Sequence, residues 1–180
     1  MVFAVVDLGF IPRCALEEID GGATRIWKIN RIIEACKLGI HDISNMELDA
    51  ESGLPRFNMP FELGLFLGAK RFGEGRQKTK RVLIMDSAPY RYQAALSDVS
   101  GQDIQSHAGK PEQAIRCVRD WLSNTSSRKR MPGASLVVGR YRNYEADFPD
   151  ICAALQFDED ILTFNDLWET MTEWQKANAS

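Results

Sequence analysis

The sequence is poor in the residues that build metal sites and disulfide frameworks. It contains four cysteines and two histidines in 180 residues, and no two cysteines form a CxxC pair. A structural zinc site needs clustered cysteine or histidine ligands, and a secreted disulfide scaffold needs a denser set of cysteines. We therefore expect no metal site, and reduced thiols that are mostly buried, as is typical of a cytoplasmic protein.

Long apolar runs and a basic excess are also missing. No segment approaches the roughly 20 apolar residues that span a bilayer, and the apolar start "MVFAVVDLGF" lacks a basic leader. The net charge is −3, whereas a protein that binds nucleic acid broadly presents a basic surface. We expect a cytoplasmic protein whose partners include neither a membrane nor nucleic acid.

Three short apolar runs are typical of buried strands. They are rich in aliphatic residues and each ends close to an aspartate: residues 2–9, 38–44 and 81–88. Ile26, Ile29 and Ile33 recur at helical spacing between the first two runs, and a second helix is predicted over residues 56–73. Strands and helices that alternate in this way predict a parallel sheet with crossover helices.

Helical patterns dominate the remainder of the chain. An amphipathic helix is predicted over residues 110–124, and another begins after Thr163, which suits a capping position. Residues 133–148 favour a helix, with a strand at "SLVVGRY" as the alternative. We see no linker that would separate two domains. The single expected domain covers residues 1–180, with a core at 1–124 and a C-terminal helical extension at 125–180.

Several carboxylates fall where parallel sheets bind ligands. Asp7, Asp42 and Asp86 lie at or near the ends of the three predicted strands. Ligands of open parallel sheets bind at the carboxyl ends of the strands. The helix that contains Glu62 begins on the same side, because a crossover helix starts where its preceding strand ends. The predicted connectivity therefore gathers these carboxylates at one edge of the sheet.

Glu62 stands among apolar residues near the start of its helix. Pro60 suits the first helical turn, and Asn58 or Met59 precedes it as a cap. In one interpretation Glu62 is structural, since a first-turn glutamate gains roughly 0.3–1 kcal/mol from the helix dipole. In the other it is functional, because an unpaired buried charge is costly and the carboxylate should then face a cavity. The residues alone leave both interpretations open.

Residues 39–86 carry a more specific pattern. "HDIS", a long loop, "RFNMPFELGLFLGAKRFG" and "KRVLIMD" resemble the core of the TIR-like and nucleoside 2-deoxyribosyltransferase-like superfamily. That family shows an aspartate and a hydroxyl residue after its second strand, then an asparagine, a Y/F-E-L-G turn and a small-residue helix. The matching positions are Asp42, Ser44, Asn58, Phe61, Glu62, Leu63 and Gly64. "SDVSGQDIQSH" also resembles a segment of bacterial TIR-like nucleotide-binding proteins.

The resemblance implies a fold and a reaction. The fold would be a flavodoxin-like or Rossmannoid three-layer α/β sandwich, with a mostly parallel sheet and extra C-terminal helices. The reaction would be cleavage of the N-glycosidic bond of NAD, by an NAD glycohydrolase or ADP-ribosyl cyclase with Glu62 as the catalytic carboxylate. NAD would be the substrate, and no cofactor is implied. Many bacterial relatives act in anti-phage defence.

Two other functions remain open. A nucleoside or nucleotide hydrolase, or a 2-deoxyribosyltransferase, would need a second proton donor near the base. Asp7, Asp86, Asp103 or His107 would supply it, and Phe61 stands where deoxyribosyltransferases commonly carry a tyrosine. The third function is a non-catalytic nucleotide-binding or TIR-type interaction module. Beside a small-molecule nucleotide, the expected partners are then a second copy of the chain and a regulatory protein or signal molecule.

The substrate-binding residues follow from the resemblance and from residue chemistry. The expected contacts are Asp7, Arg13, Asp42, Ser44, Asn58, Phe61, Tyr90 and Asp103. Arg13 has the fork geometry that suits a phosphate, with a surface salt bridge as the alternative. Tyr90 would stack on a base or clasp its own loop. The loop acids Glu47, Asp49 and Glu51 either reach the pocket or lie in solvent.

Overall fold

The computed structural model describes residues 1–17, 19–46, 53–127 and 130–178, and within them the chain is mixed α/β. The α-helices are α1 (Val2–Asp7), α2 (Arg25–Ala35), α3 (Asn58–Phe72), α4 (Pro111–Thr125), α5 (Ala134–Leu155) and α6 (Phe164–Ala177). The strands are β1 (Leu38–Asp42), β2 (Arg81–Asp86) and β3 (Ile104–Ser106). Short 3-10 helices occupy Gly75–Thr79, Arg91–Ala94 and Ser97–Val99.

The three strands form one parallel sheet in the order β1–β2–β3. β1 pairs with β2 from Leu38 opposite Arg81 to Asp42 opposite Met85, and α3 is the crossover between them. The predicted strands at 38–44 and 81–88, and the helices before and between them, are therefore confirmed. β3 was not predicted, because a strand of three residues is too short to show an alternating pattern.

The predicted strand over residues 2–9 is wrong. This segment forms the short helix α1, in which Phe3, Ala4 and Val6 are buried. Its apolar residues are typical both of a buried strand and of a buried helix, and so short a run does not separate the two. Tertiary packing decides, because α1 lies among α4, α5 and α6. Asp7 is consequently the last residue of a helix and does not lie at the end of a strand.

Helices cover both faces of the sheet. Side chains alternate between the faces along a strand. Leu83 and Met85 of β2 pack in one cluster with residues of α1, α4 and α5, whereas Ile84 packs against Leu63 of α3. α2 packs on α3 through the buried residues Ile29, Ile33 and Phe66. Thus α2 and α3 lie on one face, and α1, α4 and α5 lie on the other.

The C-terminal helices share the core of the sheet. Val137 of α5 belongs to the same buried cluster as Leu83 of β2. The whole segment "SLVVGRY" is helical, so the predicted helix is confirmed and its strand alternative is wrong. The predicted cap of α6 is also confirmed: the Thr163 hydroxyl accepts from the Asp166 N–H at 3.2 Å, and the Asp166 carboxylate accepts from the Thr163 N–H at 2.9 Å.

The start of α3 differs from the predicted one. Asn58 is the first residue of the helix, and Phe57 occupies the cap position without a side-chain hydrogen bond. The prediction that Asn58 or Met59 is the cap is therefore wrong, although Pro60 does lie in the first turn. Glu62 is the fifth residue of α3, beyond that turn, so the helix dipole gives a weaker structural reason for its position.

Candidate active site

A cavity of about 290 Å³ lies between α2, α3 and β1. β1 is an outer strand, and its residues from Leu38 to His41 form one wall. Ile29 and Ile33 of α2 and Phe66 of α3 make the cavity largely apolar. A concave apolar space with a few polar groups is the usual form of a small-molecule site. The charged or titratable side chains that line it are Arg13, Cys14, Arg25, Cys36, His41 and Glu62.

Glu62 enters the cavity from the second turn of α3. Met59 and Phe66, three residues before it and four after, line the same cavity because they share its helix face. The side chain of Glu62 is 18% exposed. Burial raises the pKa of its carboxyl group, and the positive charge of Arg25 opposes that rise. Glu62 thus has apolar surroundings and a route to solvent.

Arg25 is the nearest cation to Glu62 among the described ion pairs. Its Nη2 lies 3.8 Å from Glu62 Oε1, and its side chain is 62% exposed. It is the first residue of α2, which begins after the Thr24 cap. The pair is loose, so both side chains can contact a ligand. Arg25 was not predicted as a site residue, because its proximity to Glu62 depends on how α2 packs on α3.

Arg13 lines the cavity, as it would have to if it bound a phosphate. It also forms a salt bridge, with Glu17, which was the alternative role expected from the sequence. Its Nε lies 2.7 and 2.8 Å from the two carboxylate oxygens of Glu17, and its Nη2 contacts the same carboxylate. This geometry holds the guanidinium at the cavity wall. A phosphate bound here would therefore share Arg13 with Glu17.

Two thiols and one imidazole complete the titratable lining. Burial raises the pKa of Cys14 and of Cys36, so both remain protonated thiols near neutral pH. Burial lowers the pKa of His41 to about 4, and its ring packs against Phe66 with centroids 5.4 Å apart. At neutral pH His41 is therefore a neutral imidazole, and it is not an imidazolium acid that could protonate a leaving group. Glu62 is the one carboxyl group among the described lining residues.

Asp42 is on the other face of the sheet from Glu62. A Cβ added at Gly39 would meet the ring of Phe66 on α3, and His41 packs on the same ring. Because strand residues alternate, Asp42 faces away from α3. It is also absent from the described lining of the Glu62 cavity. The prediction that Asp42 lies at the end of a strand is confirmed. However, the structure does not bring the Asp42 side chain beside Glu62.

Asp42, Ser44 and His107 form a separate polar cluster. Asp42 Oδ1 accepts from the Ser44 N–H at 3.0 Å and lies 3.3 Å from His107 Nε2. His107 Nδ1 accepts from the Gly109 N–H at 3.1 Å, so the ring proton is on Nε2 and points to Asp42. The cluster joins the end of β1 to the loop after β3. His107 is thereby engaged outside the Glu62 cavity.

Arg91 ties the carboxyl ends of β1 and β2 together. Its Nε and Nη2 donate to Asp86 Oδ1 at 2.8 and 2.6 Å, and Nη2 also reaches the carbonyl oxygens of Ile43 and Ser44. The Asp86 side chain is fully buried. Tyr90 precedes this clamp with a positive φ of 61° and is 73% exposed. Asp86 was predicted to lie at the ligand-binding edge of the sheet, and in the structure its side chain instead binds Arg91 in this structural clamp.

The prediction that Asp7 lies at the edge of the sheet is wrong. Its side chain is fully buried among helices, where Arg140 Nε of α5 lies 3.0 Å from its Oδ1. Burial raises the pKa of Asp7, and the charge of Arg140 and a hydrogen bond from the Gln175 side chain of α6 oppose this effect. Asp7 therefore belongs to the helical layer, on the face of the sheet opposite Glu62.

Other predicted contacts lie outside the Glu62 cavity. Asp103 lines a different cavity beside β3, where its Oδ1 accepts from the Gln105 side chain at 2.9 Å. Asn58 and Phe61 are exposed at the start of α3, and Phe61 is 58% exposed. Phe61 is next to Glu62 in the chain, but it faces solvent. The resemblance matched these positions without showing which side of α3 they occupy.

The loop acids Glu47, Asp49 and Glu51 lie outside the described residues. Within the described ranges, no three histidine, cysteine, aspartate or glutamate side chains are grouped as metal ligands would be. None of the helices in these ranges combines the length and the apolar character that a bilayer crossing requires.

Comparisons with protein-family models, with curated proteins and with solved structures find no match for this chain. The residue pattern and the geometry of the cavity are therefore the two indications of function.

Proposed function

We propose that this protein cleaves the N-glycosidic bond of NAD, with Glu62 as the catalytic carboxylate. One observation carries the proposal: Glu62 is the one carboxyl group among the described residues of an apolar cavity, and it is partly open to solvent. The sequence pattern around it resembles a superfamily whose glutamate acts at a ribose. The proposal thus joins a resemblance to a site that has the required chemistry.

The reaction needs a negative oxygen more than it needs an acid. Rupture of the C1′–N bond builds positive charge on the ribose, as in glycoside hydrolysis. The ionised carboxylate of Glu62 would stabilise this charge in a low-dielectric cavity or add to C1′ as a nucleophile. The bonding electrons pass to the pyridinium nitrogen, so nicotinamide leaves as a neutral molecule. Water then supplies a hydroxyl to C1′ and releases one proton.

The titratable lining favours NAD over a nucleoside as substrate. A nucleoside base usually leaves only after protonation. His41 is neutral at neutral pH, and the two thiols are weak acids whose pKa values burial raises further. Nicotinamide requires no such proton donor. The lining of the cavity therefore suits a leaving group that is already cationic in the substrate.

The cavity would hold only one end of the dinucleotide. Its volume of about 290 Å³ is at the lower limit of small-molecule pockets, which span roughly 300–1,000 Å³. The nicotinamide riboside end would occupy the cavity, and the diphosphate would extend out of it, past the exposed side chain of Arg25. Arg25 is thus placed to contact a phosphate as well as Glu62.

The test is release of nicotinamide, measured by chromatography after incubation with NAD. Wild-type protein is expected to release it and Glu62→Gln to release none above background, with unchanged thermal unfolding. The matched control is Glu169→Gln, which makes the same change at an exposed helical position in α6. Equal turnover by wild type and Glu62→Gln would refute the role of Glu62.

The size of the cavity supports a second candidate, a nucleoside hydrolase or 2-deoxyribosyltransferase. A single nucleoside fits such a space more completely than a dinucleotide does. The burial that raises the pKa of Glu62 would also help it to act as a proton donor. Release of a free base from a nucleoside panel, with NAD left intact, would select this candidate. Tight nucleotide binding without any product would select a non-catalytic module.

A further inference from the structure

A basic segment begins in the last turn of α3 and continues to the first residue of β2. Residues 70–81 contain six cations and one carboxylate, although the net charge of the whole chain is −3. The cations are Lys70, Arg71, Arg76, Lys78, Lys80 and Arg81. The rest of the chain is therefore distinctly acidic. A cluster of positive charges in an otherwise acidic chain suggests that this segment has a specific role.

Part of this segment surrounds another cavity, an open depression of about 590 Å³ at the surface, where the side chains of Lys70, Arg71 and Lys78 are exposed. Lys70 and Arg71 reach it from α3, and Lys78 reaches it from the 3-10 helix Gly75–Thr79. The remaining lining is apolar or neutral: Leu67, Val82 and Gln102. No carboxylate lines it among the described residues, and none of the three cations forms an ion pair there.

The dipole of α3 explains two of these cations, and Lys78 lies in the last turn of the short 3-10 helix Gly75–Thr79. Lys70 and Arg71 lie in the last turn of α3, where positive charge is favourable. Lys78 and Gln102 come from other segments and gain nothing from that helix end. An anion in the cavity would meet a partial charge of about −0.5 at the end of α3, which three full positive charges outweigh. The dipole of α3 therefore does not explain why polar side chains from three segments meet at this cavity.

We propose that this cavity binds a free nucleoside polyphosphate, separately from the Glu62 site. Lys70, Arg71 and Lys78 would neutralise the phosphates through charge-assisted hydrogen bonds. The apolar side chains of Leu67 and Val82 would contact the base. The amide of Gln102 would offer both a donor and an acceptor to the edge of the base. A long nucleic acid fits less well, because it would have to extend from this patch across an acidic protein.

The two cavities lie on different flanks of α3. Phe66 lines the Glu62 cavity and the next residue, Leu67, lines the basic one. Glu62 and Lys70 are eight residues apart, so they are separated by about 12 Å along the helix axis. A nucleotide in the basic cavity therefore needs no contact with Glu62. α3 is the wall that the two sites share.

The test is calorimetric titration of the full chain with ATP, adenosine and inorganic triphosphate. We expect ATP to bind, adenosine to show no binding at concentrations where ATP saturates, and triphosphate to bind more weakly than ATP. Lys70→Gln/Lys78→Gln should lose about tenfold or more in affinity for ATP, since it removes two charge-assisted contacts. Lys110→Gln/Lys176→Gln, which changes the net charge equally at exposed positions elsewhere, should bind as wild type does.

Several results would overturn the proposal. These are absence of ATP binding to the wild type, equal affinity in the Lys70→Gln/Lys78→Gln variant, and equal affinity for triphosphate and ATP. Loss of ATP binding in Glu62→Gln would place the nucleotide in the other cavity. Tighter binding of single-stranded RNA than of ATP, lost in the Lys70→Gln/Lys78→Gln variant, would assign the patch to nucleic acid. Thermal unfolding of each variant separates these outcomes from a folding defect.

Discussion

Asp7 and Glu62 are a buried and a partly exposed carboxylate on opposite faces of one sheet. Both have a pKa that burial raises, and both have an arginine as counter-charge. The side chain of Asp7 is 0% exposed and its Oδ1 lies 3.0 Å from Arg140 Nε, whereas the side chain of Glu62 is 18% exposed and its Oε1 lies 3.8 Å from Arg25 Nη2. Asp7 is enclosed by packed helices, and Glu62 faces a cavity. The empty space beside Glu62 and its access to solvent distinguish it as the candidate for chemistry.

The largest difference is expected in turnover. Glu62→Gln should lower the rate of nicotinamide release at least 10³-fold, about 4 kcal/mol in activation free energy, because it removes the charge that stabilises the ribosyl cation. Asp7→Asn should leave the rate per folded molecule unchanged, because Asp7 is on the other face of the sheet. Initial rates and thermal unfolding of both variants measure the contrast. A rate loss in Asp7→Asn at unchanged stability would reverse the assignment.

The largest loss of stability is expected from Arg140→Met. It leaves Asp7 buried without a counter-charge, and breaking such a pair costs about 3 kcal/mol or more. Ionisation of a carboxyl with a raised pKa destabilises the fold as pH rises through that pKa, since the native state binds the proton more tightly. The cost should therefore be greatest at neutral pH and diminish towards acid, where Asp7 is protonated. Denaturant unfolding at several pH values measures it.

The matched control for this loss is Asp7→Asn/Arg140→Met. It removes the buried charge together with its partner, so most of the stability should return and its pH dependence should flatten. Loss of stability equal to that of Arg140→Met alone would show that Arg140 acts by packing, for example on the ring of Trp174, whose centroid is 5.6 Å away.

A smaller loss is expected from Gly39→Ala in the wall of the Glu62 cavity. The new Cβ would lie 2.7 Å from the ring of Phe66, and overpacking of this kind costs roughly 1–3 kcal/mol. Gly64→Ala in α3 is the control, because its Cβ would meet nothing within 4 Å and alanine favours a helix. Turnover should fall in Gly39→Ala and persist in Gly64→Ala. Equal turnover in both would mean that this wall does not shape the site.

The comparison also shows what the sequence could predict. The strand ends at Asp42 and Asp86 and the helix of Glu62 were readable, because their apolar runs lie between clear loop residues. Asp7 was misplaced because a short apolar run suits a buried helix as well as a strand. Its true partner, Arg140, comes from a helix 133 positions later in the chain. No local pattern contains that contact.

The composition of the candidate site was harder to predict than its central residue. Glu62 stood out because a carboxylate interrupted an apolar helix. Arg25, Cys14 and Cys36 join it only through the packing of α2 and its preceding loop on α3, which is a long-range property. Asp42 was grouped with Glu62 by chain connectivity, but strand alternation turned it to the other face. Connectivity predicts which edge a residue reaches, and side-chain direction needs the tertiary structure.

The smallest effect is expected from Arg25→Met. Arg25 lowers the pKa of Glu62 against the effect of burial, so its removal should raise that pKa further. The pair is loose and Arg25 is largely exposed, and exposed pairs contribute about 0.2–1 kcal/mol, which is less than one pKa unit. Since the ionised form of Glu62 is the active one, the acid limb of the pH–rate profile should move to higher pH.

The direction of this shift separates two roles of Arg25. If it acts only on the ionisation of Glu62, the rate well above the pKa should stay unchanged and KM should remain the same. If it also contacts a phosphate of NAD, KM should rise at every pH. A limb that moved to lower pH would contradict the electrostatic argument, because it would mean that Arg25 disfavours the ionised carboxylate. Profiles of kcat and kcat/KM for wild type and Arg25→Met, measured at constant ionic strength, decide between these outcomes.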